Sequence, residues 1–145
     1  MALKRIVGHN ELMEPSIFTQ IINGDIPSHK VYEDDHTFAF LDIHPAQPGH
    51  MLVVPKVQVD RLEELDDKAY AALMATVKML MRHVVEVFGA DYRACLKLEG
   101  FDVAHAHVHI IPCRTAQDFW TKQRMEAEPD HEALARMAEK LRLAA

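Results

Sequence analysis

Residues 105–111 read His105-Ala106-His107-Val108-His109-Ile110-Ile111, followed by Pro112. Alternation of imidazoles with small or branched apolar side chains points to a β-strand with two unlike faces. Side chains of a strand alternate across the pleat, so His105, His107 and His109 share one face, about 7 Å apart, and Ala106, Val108 and Ile110 share the other. The apolar face must be buried, which leaves three imidazoles in a row on the opposite side of a sheet. A lone histidine on a strand is an ordinary polar-face residue. Three in strict alternation, among 10 histidines in 145 residues, specify a site.

The rest of the chain supplies a sheet around that strand. Pro15-Ser16 opens a short helix with Ile17, Phe18, Ile21 and Ile22 at helical spacing, and Asn23-Gly24-Asp25 stops it. Strands are expected over 30–33, 37–43, 50–54, 92–98 and 105–111, with His44-Pro45-Ala46-Gln47-Pro48-Gly49 as a loop. One long helix is expected over 66–88, ended by Gly89. Wound at about 100° per residue, it gathers Tyr70, Leu73, Met74, Val77, Leu80, Met81, Val84, Val85 and Phe88 on one face. Lys68, Thr76, Lys78, Arg82, His83 and Glu86 fall opposite. The apolar arc is about 160° wide, where about 100° suffices to sit on one sheet. A second subunit and a deeper groove within the chain account for the surplus equally well. A last helix is expected from about Asp130 to Leu143, striped by Leu134, Met137 and Leu141. Strands that hairpin together with few interrupting helices imply an α+β fold with an antiparallel sheet of about five strands. The chain divides into a loose extension over 1–15 with no clear period, a domain over 16–114 and a tail over 115–145.

Composition narrows the class. Hydrophobic residues at 49% and charged residues at 26% fit one globular domain. A net charge of −6 argues against a nucleic-acid binder, which needs clustered Lys and Arg. No apolar run approaches the roughly 20 residues of a membrane span. Lys4 and Arg5 precede no apolar core of a secretory leader, so the expected location is cytoplasmic. Two cysteines, Cys95 and Cys113, make neither a disulfide framework nor a four-cysteine zinc site, and both are expected reduced on neighbouring strands.

Two chemistries use a row of histidines. Metal binding places His-x-His on one ion, here with His105, His107 and His50 as ligands. The common settings of that pattern want a carboxylate that this chain lacks, since Ile111 and Val108 occupy the two positions concerned. Nucleophilic catalysis needs a neutral imidazole whose second nitrogen carries a held proton. Neighbouring imidazoles can fix that tautomer and pass a proton to a leaving group.

The run His-φ-His-φ-His-φ-φ, φ being apolar, resembles the signature of the histidine triad (HIT) superfamily, closest to its Hint-like branch. Three further blocks resemble the same family in order: 16–27, 39–43 and 48–56. The resemblance implies a nucleotide hydrolase or transferase, with His107 attacking the α-phosphorus of a purine nucleotide conjugate to give a nucleotidyl-histidine intermediate. It implies that His109 holds the tautomer and lines the phosphate pocket, and that His105 and His50 complete the cluster. It gives Asp42 the ribose hydroxyls and Ile17, Phe18, Phe40, Leu41 and Ile43 the base; without the resemblance, plain core packing is the reading of those five, and turn initiation before His44-Pro45 competes for Asp42. It further implies a homodimer burying the long helix, and neither cofactor nor metal. Some members carry a zinc-binding Cys-x-x-Cys where this chain has Ser16 and Thr19, so no structural zinc is expected.

The chain departs from the pattern before the triad. Asp102 stands where the branch has a Ser or Thr hydroxyl, and Lys97 or Leu98 replaces its phosphate-side Asn. An ionised Asp102 beside a phosphate is repulsive unless protonated or turned away. A nucleotide-binding regulatory module of little activity therefore stands as the alternative. Phe119 and Trp120 are expected to anchor the tail to the core, with cover over the active-site mouth or a subunit contact as the alternatives, and His9, His29, His36, His44, His83 and His131 to be solvated or turn residues. His44 alone of these others is close enough to Asp42 to meet a ligand.

Overall fold

The computed structural model describes residues 5–7 and 11–145. A two-stranded antiparallel ladder of β1 (Arg5–Val7) and β2 (Glu11–Met13) comes first, a correction to the aperiodic extension expected there. Three-residue strands are too short to reveal an alternation. His9 lies outside the described residues.

Helix α1 (Ile17–Ile22) starts where Ser16 Oγ accepts the Thr19 N–H at 2.9 Å, an N-cap. The main sheet runs β3 (Lys30–Glu33), β4 (Thr37–Leu41), β5 (Met51–Pro55), β7 (Val108–Cys113), β6 (Arg93–Lys97) in space, every neighbour antiparallel. β5 and β7 are central and buried on both faces, which is why Met51-Leu52-Val53-Val54 is continuously apolar.

Two apolar layers result. Ala39, Leu41, Met51, Val53, Val108 and Ile110 face α2 (Asp67–Phe88) through its Leu73, Val77, Leu80 and Val84. Each such Leu or Val contributes about 1.5–3 kcal/mol by leaving water, so packing rather than helix propensity fixes α2. Asp66 caps its start through Ala69 N, and Gly89 with φ 124° ends it. Phe38, Phe40, Leu52 and Val54 form the second layer with Phe18 on the opposite face. Helix α4 (His131–Leu141) closes one flank, with Leu134, Ala138 and Leu141 in the main core.

Three expectations need correction. Thr76, placed opposite the apolar face, is buried, and its hydroxyl pairs with that of Thr37 at 2.9 Å. His83 is half-buried, hydrogen-bonded to the Leu141 carbonyl at 2.9 Å, which ties α2 to the end of α4. Trp120, just after the short helix α3 (Ala116–Phe119), is 71% exposed, meets the Phe119 ring edge-on at 5.0 Å and stands outside the core. The wide apolar arc of α2 ends in half-buried Met74, Met81 and Val85 and exposed Tyr70. Among the described residues no helix is long and apolar enough to cross a membrane.

Candidate active site

The triad does not all lie in a strand. The expected strand over 105–111 begins only at Val108, so His105 and His107 precede it. The cause is Pro55. Val53 pairs with Val108, so extending the ladder brings Pro55 opposite Ala106, where it has no N–H to give. Ala106 N instead donates to the Val59 carbonyl at 2.7 Å, and the chain peels away from β5. Alternation survives nonetheless. Ala106, Val108 and Ile110 enter the core beneath α2, while the ring of Phe18 meets those of His105 and His107 edge-on at 5.7 and 5.0 Å.

Partners fix the tautomer of each imidazole. His107 Nδ1 lies 2.8 Å from the His105 carbonyl, which can only accept, so Nδ1 carries the proton and Nε2 of the neutral ring holds a lone pair. By the same reasoning His105 donates Nε2–H to the Pro55 carbonyl at 2.8 Å and accepts from Ser16 Oγ at 2.7 Å on Nδ1. His50 Nδ1 accepts the Ala46 N–H at 3.0 Å, so its Nε2 carries the proton and donates to His109 Nδ1 at 2.9 Å. His109 must then carry its own proton on Nε2. That buried atom has no partner among the described residues. An unpaired buried donor costs about 1–3 kcal/mol, the signature of a group waiting for an acceptor. Burial lowers His50 to about 3 and His109 to about 4, so both are neutral at pH 7.

The β4–β5 hairpin sets Asp42 beside His50, with Oδ2 3.7 Å from Nε2. Burial raises the Asp42 carboxyl above its ordinary value, partly opposed by hydrogen bonds from His44 N and Gln123. A cavity of about 310 Å³ opens between Asp42, His107 and His109 on one side and Ile17, Phe18, Phe40 and Ile43 on the other. Leu41 borders it, but its side chain belongs to the core beneath α2. Asp102 and the unforeseen Glu99 stand at its rim, and His44 lines it. Lys97, opposite His109 on β6, is close enough to help lower His50 and His109. A second cavity of about 460 Å³, lined by Arg61, Leu98, Glu99 and Phe101, also reaches His107.

Other contributors left no mark in the sequence. Buried Gln58 accepts from Ser16 N at 2.9 Å and Thr19 Oγ1 at 2.6 Å, locking α1 under His105. Ser16 and Thr19 thus serve the triad by hydrogen bonding. Gln123 reaches Asp42 from far along the chain. The remaining surface histidines include a pair, His29 and His131, hydrogen-bonded at 3.0 Å.

One triplet among the described residues, Asp42, His50 and His109, brings metal-ligating atoms within 4.8 Å of one another. An ion there would have to displace the His50–His109 hydrogen bond. The alternative ligand set of His105, His107 and His50 does not form, since both ring nitrogens of His105 are already engaged. Cys95 and Cys113 are free thiols on β6 and β7, away from this cluster.

An antiparallel α+β sheet carrying four interlocked imidazoles at one end of its central strands defines a class of protein. The HIT domain model matches residues 23–116, and the chain belongs to the HIT family. It is 42% identical over 100 residues to an uncharacterized HIT-like protein of Methanocaldococcus jannaschii, covering 66% of this chain and 77% of that protein. It is 38% identical over 100 residues to an adenosine 5′-monophosphoramidase of Schizosaccharomyces pombe, covering 66% and 72%. A crystal structure of a Hit-like protein from Bartonella henselae superimposes with a TM-score of 0.72 at 31% identity, covering 87% of this chain and 93% of that one.

Proposed function

We propose that the protein hydrolyses purine nucleotide conjugates, or transfers their nucleotidyl group, at the α-phosphate through a nucleotidyl-histidine intermediate on His107. The observation that carries this reading is the pairing of His107, its Nε2 lone pair free, with an unsatisfied Nε2–H on His109 beside one cavity. His107 Nε2 attacks phosphorus, the new N–P bond forms, and the bond from phosphorus to the leaving group breaks as that group takes a proton from water, a proton that the later hydrolysis step returns to solvent. The His105 carbonyl, accepting from Nδ1–H, stabilises the positive charge that develops on the ring. His109 Nε2–H bonds a non-bridging phosphate oxygen. Water then attacks phosphorus, releasing nucleoside monophosphate and restoring His107.

Asp42 takes the ribose hydroxyls, and Ile17, Phe18, Phe40 and Ile43 flank the base. Glu99 and Asp102 at the rim repel a further anion, which favours a phosphoramidate over an adenylate with an anionic leaving group. No step needs a metal or cofactor. A cytoplasmic homodimer with α2 at its interface completes the reading; its dimer part is supported by Met74 and Met81, which the main core covers only in part, beside exposed Tyr70.

The test is hydrolysis of adenosine phosphoramidate with EDTA present, comparing the unaltered chain with His107→Ala. Turnover that survives chelation and is lost in the variant is expected. Binding of nucleoside monophosphate with no turnover by either protein would leave a regulatory binding module.

A further inference from the structure

Gln123 lies in the irregular segment between α3 and α4, beyond the residues that the family model matches. Its Nε2 donates to Asp42 Oδ2 at 3.0 Å and to the His44 carbonyl at 2.8 Å. The other carboxylate oxygen, Asp42 Oδ1, accepts the His44 backbone N–H at 2.8 Å. A matching tie runs the opposite way. Gln47, in the loop after β4, donates Nε2 to the Asp118 carbonyl at 3.0 Å and to Thr121 Oγ1 at 3.2 Å. Two glutamines, one from each segment, thus clamp the tail to the loop that follows Asp42. Gln123 is itself part of the wall of the cavity.

The χ2 torsion of an aspartate is soft, so a lone carboxylate samples a broad range of planes. Donors on both oxygens remove that freedom. A carboxylate offers about four acceptor sites, of which these contacts use one per oxygen, leaving one on each for a ligand hydroxyl. We propose that Gln123 is a positioning residue that holds the Asp42 carboxylate in the plane that accepts a vicinal diol. The tail beyond the family domain thereby becomes a determinant of ribose over deoxyribose. This inference rests on the nucleotide reading of the site. Gln123 acts through Asp42 and meets no reacting atom in that reading.

The experiment compares kcat/KM on adenosine 5′-phosphoramidate and on its 2′,3′-dideoxy analogue, for the unaltered chain, Gln123→Ala, Asp42→Ala and the double variant. Gln123→Ala should lower kcat/KM on the ribonucleotide about tenfold, through KM, the scale of one charge-assisted hydrogen bond. The dideoxy substrate should be unaffected, and the substitution should add nothing in the Asp42→Ala background. Gln123→Met, similar in length and without a donor, should repeat the result should the alanine variant fold poorly. Equal losses on both substrates would overturn the inference in favour of general support of the fold. A gain on the ribonucleotide would overturn it too, making Gln123 a plug that the ribose must displace. Absence of turnover on either substrate by the unaltered chain would defeat the nucleotide reading itself and this inference with it.

Discussion

His107 Nδ1 is hydrogen-bonded at 2.8 Å to the carbonyl oxygen of His105, two residues earlier in the chain. The backbone thus decides which ring nitrogen is available. A side-chain partner could rotate away, whereas this carbonyl is held by the turn that carries Ala106 N to Val59.

Removing that ring should abolish the chemistry, beyond the stability cost of emptying a buried position. His107→Ala is expected to lower kcat at least roughly a thousandfold, as loss of a covalent nucleophile does. Intact-mass analysis of rapidly quenched mixtures should detect a nucleotidyl adduct on the unaltered chain and none on the variant. An adduct of equal yield on the variant would move the nucleophile elsewhere.

The His50–His109 pair is a matter of stability as well as function. His50→Ala strips the acceptor from Ala46 N and the donor from His109 Nδ1, leaving buried polar atoms unpaired. The expected loss is about 1–3 kcal/mol in urea unfolding at pH 8, before any cavity cost. A change below about 0.5 kcal/mol, the scale of a neutral surface substitution, would mean that the pair is not held as described.

Acid should expose the same pair. His50 and His109 are lowered from the ordinary 6.5 to about 3 and about 4, so below pH 6.5 the unfolded chain binds protons that the folded chain does not. Their penalty is absent above pH 6.5 and grows as pH falls from there through about 4 and about 3. Asp42, with a raised carboxyl, works in the opposite sense above its ordinary 3.8. Unfolding free energy should therefore fall between pH 6.5 and 4, and His50→Gln should flatten that slope. Equal slopes in the two proteins would assign the acid sensitivity to other groups.

Gly49 and Gly24 separate backbone strain from crowding. Both have positive φ, at +90° and +85°, so an alanine at either costs about 1–2 kcal/mol. A Cβ at Gly24 would meet nothing within 4 Å, whereas at Gly49 it would stand 2.8 Å from the Phe88 ring and 3.0 Å from Pro112. Gly49→Ala should be the more damaging by at least about 1 kcal/mol in denaturant unfolding, the usual cost of overpacking. Equal losses would show that Phe88 and Pro112 give way freely.

The open edge of α2 bears on assembly. In the homodimer proposed above, Met74→Lys together with Met81→Lys should shift sedimentation velocity to the monomer, since both side chains are half-buried on the face that Tyr70 leaves exposed. An unchanged sedimentation coefficient would place the subunit contact elsewhere or remove it.

What could be read in the chain was whatever has a period or a stop signal. The run from His105 to Ile111 put imidazoles on one face and apolar side chains on the other, because alternation is a property of extended backbone and needs no partner. The 22-residue α2 could be read from its 3.6-residue spacing and its Gly89 stop, whereas the cap at Asp66 shows only in the structure. Asp42 and the flanks of the cavity are marked by the family resemblance rather than by any period. Thr76 shows where such patterns end. Its hydroxyl marks it as polar, and only the approach of Thr37 makes burial tolerable.

Pairings across long stretches of chain were decided by tertiary structure alone. Which strand residues form a ladder depended on Pro55, 51 positions before Ala106, having no N–H to offer. The tautomers of four imidazoles follow from backbone groups and from Ser16, 89 positions from His105. Gln58 and Gln123 carry no periodic signal, since an amide side chain suits solvent and a buried network alike. Hydrogen bonds are specified by position to within tenths of an ångström, and a linear pattern fixes faces but not such positions.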